Sequence, residues 1–189
     1  MLFAHTMSAE RLDYQVMATT LMGALNECAS VFLSVKPDKD PTIVKKDLYG
    51  ENKLNISTCS EFIDESYISV INFYRNAHDK TAKNSCGLFI LYVDTSAINY
   101  LVNVFGFKSA AEAGWEMASD SVAELCGNIA GIFKRDLCDL GYPELETSLP
   151  VNFKGFCGGL ELPRGHKDSY RITSYVWGQT IVMDVILAL

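Results

Sequence analysis

Basic residues are scarce in this chain, and their scarcity excludes two classes of partner. The 189 residues include 16 Lys and Arg against 23 Asp and Glu, which gives a formal net charge of −7. Nucleic-acid recognition depends on a basic footprint, and an anionic membrane surface attracts basic segments. We therefore expect no nucleic acid and no membrane among the partners of this chain.

Cys-x-x-Cys spacing, a signal-peptide pattern and long apolar runs are also not evident in the sequence. The six cysteines include no Cys-x-x-Cys pair and no Cys/His spacing typical of zinc, so they are interpreted as free, mostly buried thiols. The first residues lack the basic and apolar regions of a signal peptide. The apolar segment 181–189 is too short to span a membrane and contains Asp184, which predicts a buried strand. These features favour a cytoplasmic protein.

Motifs for common kinds of enzyme are equally hard to find. The glycine-rich segment 155–159 follows a predicted strand and lacks the Lys-Ser/Thr pair of a P-loop. His5, His78 and His166 are far apart and fall in a terminus or in predicted loops, so they are interpreted as surface residues. The sequence therefore indicates no metal site and no Ser-His-Asp or Cys-His arrangement.

The length and the order of predicted elements favour one α+β domain spanning residues 1–189. Apolar residues at helical spacing predict helices over 8–34, with Ser8 as N-cap, and over 96–105, capped by Asp94 or Thr95. Residues 76–84 and 158–168 are polar or rich in turn residues and predict loops. Strands are predicted by β-branched and aromatic residues, with a tight turn at Gly178-Gln179 before the last: 42–48, 54–58, 67–74, 87–93, 151–156, 170–177 and 180–188.

The clearest helical segment begins at Ser109 and ends near Gly141. Ser109 and Glu112 form a capping-box pattern, in which Ser109 is the N-cap and Glu112 reaches back to its amide. Gly141 and Pro143 predict the end, because Gly adopts a left-handed C-cap and Pro cannot continue a helix. Apolar residues between them recur in steps of three and four and predict one buried stripe: Trp115, Ala118, Val122, Leu125, Ile129 and Ile132.

The opposite face of this helix carries the candidate site. At about 100° per residue, Asp120, Glu124, Gly127 and Gly131 lie away from the buried stripe, with Asn128 toward the edge of the same face. An acid beside an amide can hold a water in line with a phosphoryl group. Solvated surface charges, with glycines that mark a kink, are the simpler interpretation of the spacing alone.

This segment resembles the CheC/CheX/FliY family of chemotaxis phosphatases. The family pattern is Asp or Ser, three residues, Glu, two residues, Asn, twenty-two residues and Pro, and Asp120, Glu124 and Pro150 occupy three of these four places. Gly127 stands where the family has its Asn, and Asn128 follows one residue later. The flanking residues that match the CheX version are Leu125, Ile129, Ala130 and Gly131.

The resemblance implies a fold, a partner and residue roles. The expected fold is a single CheX-like domain, with an antiparallel sheet of about six strands covered by long helices. The expected activity is hydrolysis of the aspartyl phosphate on a CheY-type response regulator. Glu124 would contact the Lys of the regulator, Asn128 would orient the attacking water, and Asp120, Gly127 and Gly131 would form the docking face. This chain would bind no cofactor, since Mg²⁺ is expected on the partner regulator.

Gly127 leaves two hypotheses open, and a third is weaker. In the first, the chain is a phosphatase in two-component signalling, and a π-bulge at Gly127 re-aims Asn128. In the second, it is a response-regulator-binding module without hydrolysis, because the amide is missing. In the third, it is a structural homodimer component that associates through an exposed sheet edge.

Overall fold

The computed structural model describes residues 14–47, 51–56, 62, 66–104, 106–166 and 168–189. The predicted N-cap Ser8, the strand ends at 48 and 57–58, and Phe105 lie outside the described residues. The helices are α1 (Tyr14–Phe32), α2 (Ala77–Thr81), α3 (Thr95–Val104) and α4 (Ala110–Asp139). The strands are β1 (Lys39–Asp47), β2 (Lys53–Ile56), β3 (Ser66–Tyr74), β4 (Gly87–Asp94), β5 (Glu146–Thr147), β6 (Val151–Lys154), β7 (Cys157–Glu161), β8 (Asp168–Val176) and β9 (Gln179–Leu187).

Seven of these strands form one antiparallel sheet, which confirms the predicted α+β class. Their order is β1-β8-β9-β4-β3, and the short strands β5 and β6 both pair with β3 at one edge. The remaining strands, β2 and β7, pair with each other in a separate two-stranded ribbon. The seven strands agree with the expected sheet of about six, and the two-residue β5 is the shortest of them.

Both faces of the main sheet are covered, so the molecule has two hydrophobic cores. Helices α1, α3 and α4 pack on one face, where β4 contributes Phe89 and Leu91. The β2–β7 ribbon contributes to the core on the other face, where β4 contributes Leu88 and Ile90. Every residue of β4 except Asp94 is buried. A strand that is covered on both faces has apolar residues along its whole length, and β4 has this composition.

The predicted turns and loops needed correction in three places. The β8–β9 hairpin turns at Trp177 and Gly178, one residue earlier than predicted, with φ values of 59° and 70°. Positive φ at both central residues is the type I′ geometry that matches the twist of paired strands. The predicted loop 76–84 contains α2, whose N-cap is Asn76, and the predicted turn region 158–168 begins with most of β7.

Two aromatic residues, Trp115 of the predicted buried stripe and Phe32 in α1, are partly exposed. Trp115 is 42% exposed and stacks on Tyr67, with 5.1 Å between ring centroids. Trp115 is the first residue of the uninterrupted part of α4, because Gly114 before it has a φ of 74° and a ψ of 174°. Phe32, the last residue of α1, is 47% exposed, whereas Leu33 after it is buried.

A charged network lies on the sheet face that the β2–β7 ribbon also contacts. Asp184 on β9 accepts hydrogen bonds from Arg171 Nε and Nη2, each at 2.7 Å, and from the Tyr92 hydroxyl at 2.8 Å. The side chains of Arg171 and Asp184 are only 11% and 8% exposed. Asp184 was predicted within a buried strand, and its partners account for a carboxylate at that depth.

The buried thiols follow the prediction for the described cysteines. Cys28, Cys86, Cys126 and Cys157 are buried, and Cys138 is exposed. None of the described cysteines is in a disulfide. No helix in the described part of the chain has the length and apolar character required to cross a membrane.

Candidate functional site

Helix α4 has well-defined ends. The Ser109 hydroxyl accepts a hydrogen bond from the Glu112 amide at 3.2 Å, and the Glu112 carboxylate accepts from the Lys108 amide, one residue before the predicted partner. At the other end Gly141 has a φ of 91°, and the Tyr142 amide donates to the Leu137 carbonyl. That bond is typical of a Schellman motif, so the predicted helix end is confirmed.

Three contacts fix the position of α4 against its neighbours. Arg135 donates to both carboxylate oxygens of Glu27 on α1, at 3.0 and 2.7 Å, and this hydrogen bonding lowers the pKa of Glu27. The Asn152 amide on β6 donates to the Ser119 carbonyl at 3.0 Å, one residue before Asp120. The remaining contact is the core stripe, which is buried from Ala118 onward. The helix is therefore a preformed, rigid element.

The face of α4 away from the core has the composition that the sequence predicts. Asp120 and Glu124 are exposed, and Gly127, Asn128 and Gly131 are half-buried. A Cβ added at Gly127 or Gly131 would meet no atom within 4 Å, so both glycines border open space. Within the described residues, no hydrogen bond or ion pair occupies the side chains of Asp120, Glu124 or Asn128. An unpaired acid and an unpaired amide thus lie one turn apart.

The helix is regular at Gly127, which contradicts the π-bulge hypothesis. Residues 115–139 are α-helical without interruption, and Gly114 is where non-helical angles occur in α4. Asn128 is therefore rotated by about 100° and shifted by about 1.5 Å from the place where the family pattern has its amide. This rotation turns Asn128 toward the ends of α1 and α3.

A small depression, which we call the notch, lies where α1, α3 and α4 meet. Its volume is about 70 Å³, and Glu124 and Asn128 form part of its wall. The other lining residues come from all three helices: Phe32 at the end of α1 and Leu33 directly after it, Leu101 and Val104 of α3, and Ser121 and Leu125 of α4. Phe32 and Val104 are 47% and 45% exposed, so the part of the lining that they form is apolar and accessible.

A larger cavity lies elsewhere and contains none of the predicted site residues. Its volume is about 490 Å³, and its lining includes Leu88 and Leu162, which belong to the core on the far face of the sheet. Cations and acids both contribute to it, among them Arg75 and Asp79. The surface around Glu124 is too shallow for a small molecule, since ligand pockets have volumes of roughly 300–1,000 Å³. The site on α4 is therefore suited to a macromolecular partner.

The cysteine within the motif does not belong to the exposed face. Cys126 lies between Glu124 and Asn128 in sequence but points into the core, where its Sγ is 3.7 Å from the Ser69 carbonyl. Burial raises the pKa of Cys126 to about 12, so its thiol carries no useful thiolate at neutral pH. Cys28 is also buried, with a pKa raised to about 12 by burial and then by Glu27.

Among the described residues, the exposed face of α4 has no cluster of metal ligands and no histidine. Among the described residues, no three His, Cys, Asp or Glu side chains cluster as metal ligands. His78 is exposed on α2, and His166 has its Nδ1 2.6 Å from the Pro163 carbonyl. His5 lies outside the described residues.

The last residue of the motif, Pro150, lies between β5 and β6 at the edge of the sheet. Ser148 holds this segment, because its amide donates to the Asn72 carbonyl and its hydroxyl accepts from the Asn72 amide. Strand β6 then runs beside β3 and reaches α4 through Asn152. The long segment between Gly127 and Pro150 thus allows β6 to return against the first half of α4.

The sequence did not identify the apolar wall of the notch. Phe32 and Val104 fall near the ends of predicted helices without any distinguishing signal. An apolar residue at a helix end has the same pattern whether it is buried or exposed. Only the packing of three separate helices places these side chains beside Glu124.

Comparisons with known proteins show the fold. No family model matches the chain, and no curated protein matches it by sequence. A CheC-like superfamily protein from Shewanella sp. PV-4 is similar in structure, with a TM-score of 0.62 and 13% identity over 90% of this chain and 96% of the other. The chemotaxis protein CheX from Desulfovibrio desulfuricans has a TM-score of 0.58 and 11% identity, with 90% and 98% covered.

A third similar structure is a chain of the CheX–CheY–BeF₃–Mg²⁺ complex from Borrelia burgdorferi. Its TM-score is 0.53 at 16% identity, with 94% of this chain and 99% of that chain covered. The structural neighbours are thus CheC-like and CheX chemotaxis proteins, matched over nearly their full lengths. The fold that the motif predicted is confirmed.

Proposed function

We propose that this chain binds a CheY-type receiver domain through the exposed face of α4. The observation that carries the proposal is Glu124, an exposed carboxylate that no described residue engages, on a rigid helix face that Gly127 and Gly131 leave open. The CheX-like fold and the matching motif supply the class of partner. The proposal places the chain in cytoplasmic chemotaxis or two-component signalling.

Glu124 is assigned the central contact. A carboxylate on the surface of a helix can accept a charge-assisted hydrogen bond from the Lys ammonium of a receiver domain. Asp120, one turn earlier, adds negative charge to the same face and supports docking of a basic surface. The two glycines keep the surface around Glu124 shallow, because neither adds a side chain to it. Mg²⁺ would be supplied by the receiver.

Two versions of this proposal differ in whether hydrolysis follows binding. In the phosphatase version, Asn128 orients a water toward the aspartyl phosphate, and its free amide beside Glu124 favours this role. In the binding version, hydrolysis is slow or absent because the residue three positions after Glu124 is Gly127. The regular helix favours the binding version, since a displacement of about 1 Å in a positioning group can cost roughly a hundredfold in rate.

We expect Glu124→Ala to weaken binding to the receiver domain about tenfold, which corresponds to about 1.4 kcal/mol. The substitution removes the acceptor for the receiver's Lys and leaves the core side of α4 untouched. Isothermal titration with a beryllofluoride-activated receiver domain from the same organism measures the dissociation constant. Decay of the phosphorylated receiver, followed with and without the protein, shows whether hydrolysis accompanies binding.

Glu144→Ala is the matched control, because Glu144 is an exposed glutamate in the segment after α4. It changes the net charge equally and should leave the dissociation constant within twofold. Equal weakening by both variants would mean that only overall charge matters, and the assignment of Glu124 would be wrong. No binding by the wild-type protein to any receiver domain of the organism would overturn the proposed function.

Self-association is a separate part of the proposal. Strands β1 and β6 each pair on one side among the described residues, and such edges can pair with a second copy. Light scattering at several protein concentrations tests for a homodimer.

A further inference from the structure

We infer that the notch beside Glu124 receives an apolar side chain of the receiver domain while the receiver's Lys contacts Glu124. This inference rests on the proposed function and adds a second, specificity-determining contact to it. The notch would select receivers that carry an aliphatic side chain at the correct distance from that Lys. The acidic face alone would not distinguish among receivers, because all of them would offer a cation.

The shape of the notch fits the end of one side chain. Its volume is about 70 Å³, far below the roughly 300–1,000 Å³ of pockets that hold small molecules. A depression of this size can receive the end of an aliphatic side chain such as that of Val, Leu or Met. Phe32 and Val104 end two different helices, so the apolar wall is built by elements whose positions are fixed in the core.

The notch combines apolar and polar lining residues, as expected of a site that receives one anchoring side chain of a partner. Phe32 and Val104 expose nearly half of their surface on one side, and Glu124 and Asn128 provide polar groups on the other. Interface residues that dominate binding typically occupy small, desolvated apolar pockets surrounded by polar contacts. An apolar anchor here would exclude water from the contact between Glu124 and the incoming ammonium, which strengthens that contact.

Charge favours an occupant that presents a cation and argues against a second copy of this chain. Asp120 and Glu124 lie on the same helix face, and the chain has a net charge of −7. A two-fold dimer through this face would bring the same patch of both copies together, so the carboxylates would face one another. A receiver domain that presents a Lys beside an apolar residue complements both halves of the surface.

The test uses two valines that allow the same substitution. Val104→Phe should fill the notch from its own wall and weaken receiver binding about tenfold. Val31→Phe is the control, because Val31 also lies near the end of a helix, is 65% exposed and does not line the notch. It should change the dissociation constant less than twofold. Phe32→Ala, which removes the wall instead of filling the space, should also weaken binding.

The dissociation constants come from titration with the beryllofluoride-activated receiver, together with circular dichroism melts that confirm folding. Weakening by both Val104→Phe and Phe32→Ala, with Val31→Phe unaffected, supports the inference. If Glu124→Ala weakens binding and the two notch variants do not, the inference fails and the proposed function stands. If Val104→Phe changes only the oligomeric state, the occupant is a second copy and the inference is wrong. Absence of any receiver binding by the wild type overturns both.

Discussion

Gly127→Asn is expected to raise the rate at which this protein promotes hydrolysis of a phosphorylated receiver by about a hundredfold over wild type. The reason is geometric, because the new amide would lie three residues after Glu124 on a regular helix, where the CheC/CheX pattern has its Asn. A positioning error of about 1 Å in such a group can cost roughly this factor. Decay of the phosphorylated receiver measured with excess protein gives the rate directly.

The structure indicates that this variant folds. An added Cβ at Gly127 meets no atom within 4 Å, and Asn is a slightly better helix former than Gly. Gly127→Ala is the matched control, since it adds the same Cβ at the same place and also meets no atom within 4 Å. It introduces no amide, so no acceleration is expected from it.

Two results would contradict the prediction in different ways. Equal rates for Gly127→Asn and Gly127→Ala would show that the i+3 amide is not what limits hydrolysis. Rapid hydrolysis by the wild type, lost in Asn128→Ala, would show that Asn128 already orients the water in spite of its rotation. That second result would establish the phosphatase version of the proposal.

The second large effect is expected on stability. Asp184→Ala should lower the free energy of unfolding by about 3 kcal/mol, because it removes one member of a buried ion pair and leaves the guanidinium of Arg171 at low exposure without this carboxylate. The Tyr92 hydroxyl loses the same acceptor. Urea unfolding followed by circular dichroism measures the change in free energy.

The double variant Arg171→Met/Asp184→Leu tests the physical cause. Replacing both members of a buried pair by apolar side chains is often neutral or stabilising, so this variant should recover most of the loss. A double variant as unstable as Asp184→Ala would show that the network matters for its shape and not for charge compensation. A loss below about 1 kcal/mol in Asp184→Ala would place the pair among weak surface pairs. Receiver binding should be unchanged in the double variant, since the network lies on the opposite side of the sheet from α4.

Local signals allowed much of the fold to be predicted. The capping pattern at Ser109 and the C-cap at Gly141 specify where α4 begins and ends, because they act on backbone groups within a few residues. The apolar strands β3, β4 and β9 were found near their observed positions, since burial on both faces leaves a continuous apolar pattern. Strand β7 was missed because Gly158 and Gly159 resemble turn residues, and its pairing partner β2 is distant in sequence.

Part of the candidate site was also predicted from local signals. Helical spacing alone places Asp120, Glu124, Gly127 and Gly131 on one face, and the structure confirms that face as the one away from the core. Regularity at Gly127 could not be read from the sequence, because a glycine is compatible with both a straight helix and a bulge. The burial of Trp115 was overestimated, because the sequence does not show that Trp115 begins the uninterrupted part of α4, directly after the positive φ at Gly114.

The sequence by itself determined the site helix, the face on which its acids lie and the absence of the expected amide after Glu124. These are properties of residues within one element, and helical periodicity relates them without any other part of the chain. Only the tertiary structure decided that Phe32 and Val104 border Glu124 and that Arg171 neutralises Asp184. Those contacts join elements far apart in the chain, and periodicity indicates which residues are apolar or charged but not which elements become neighbours.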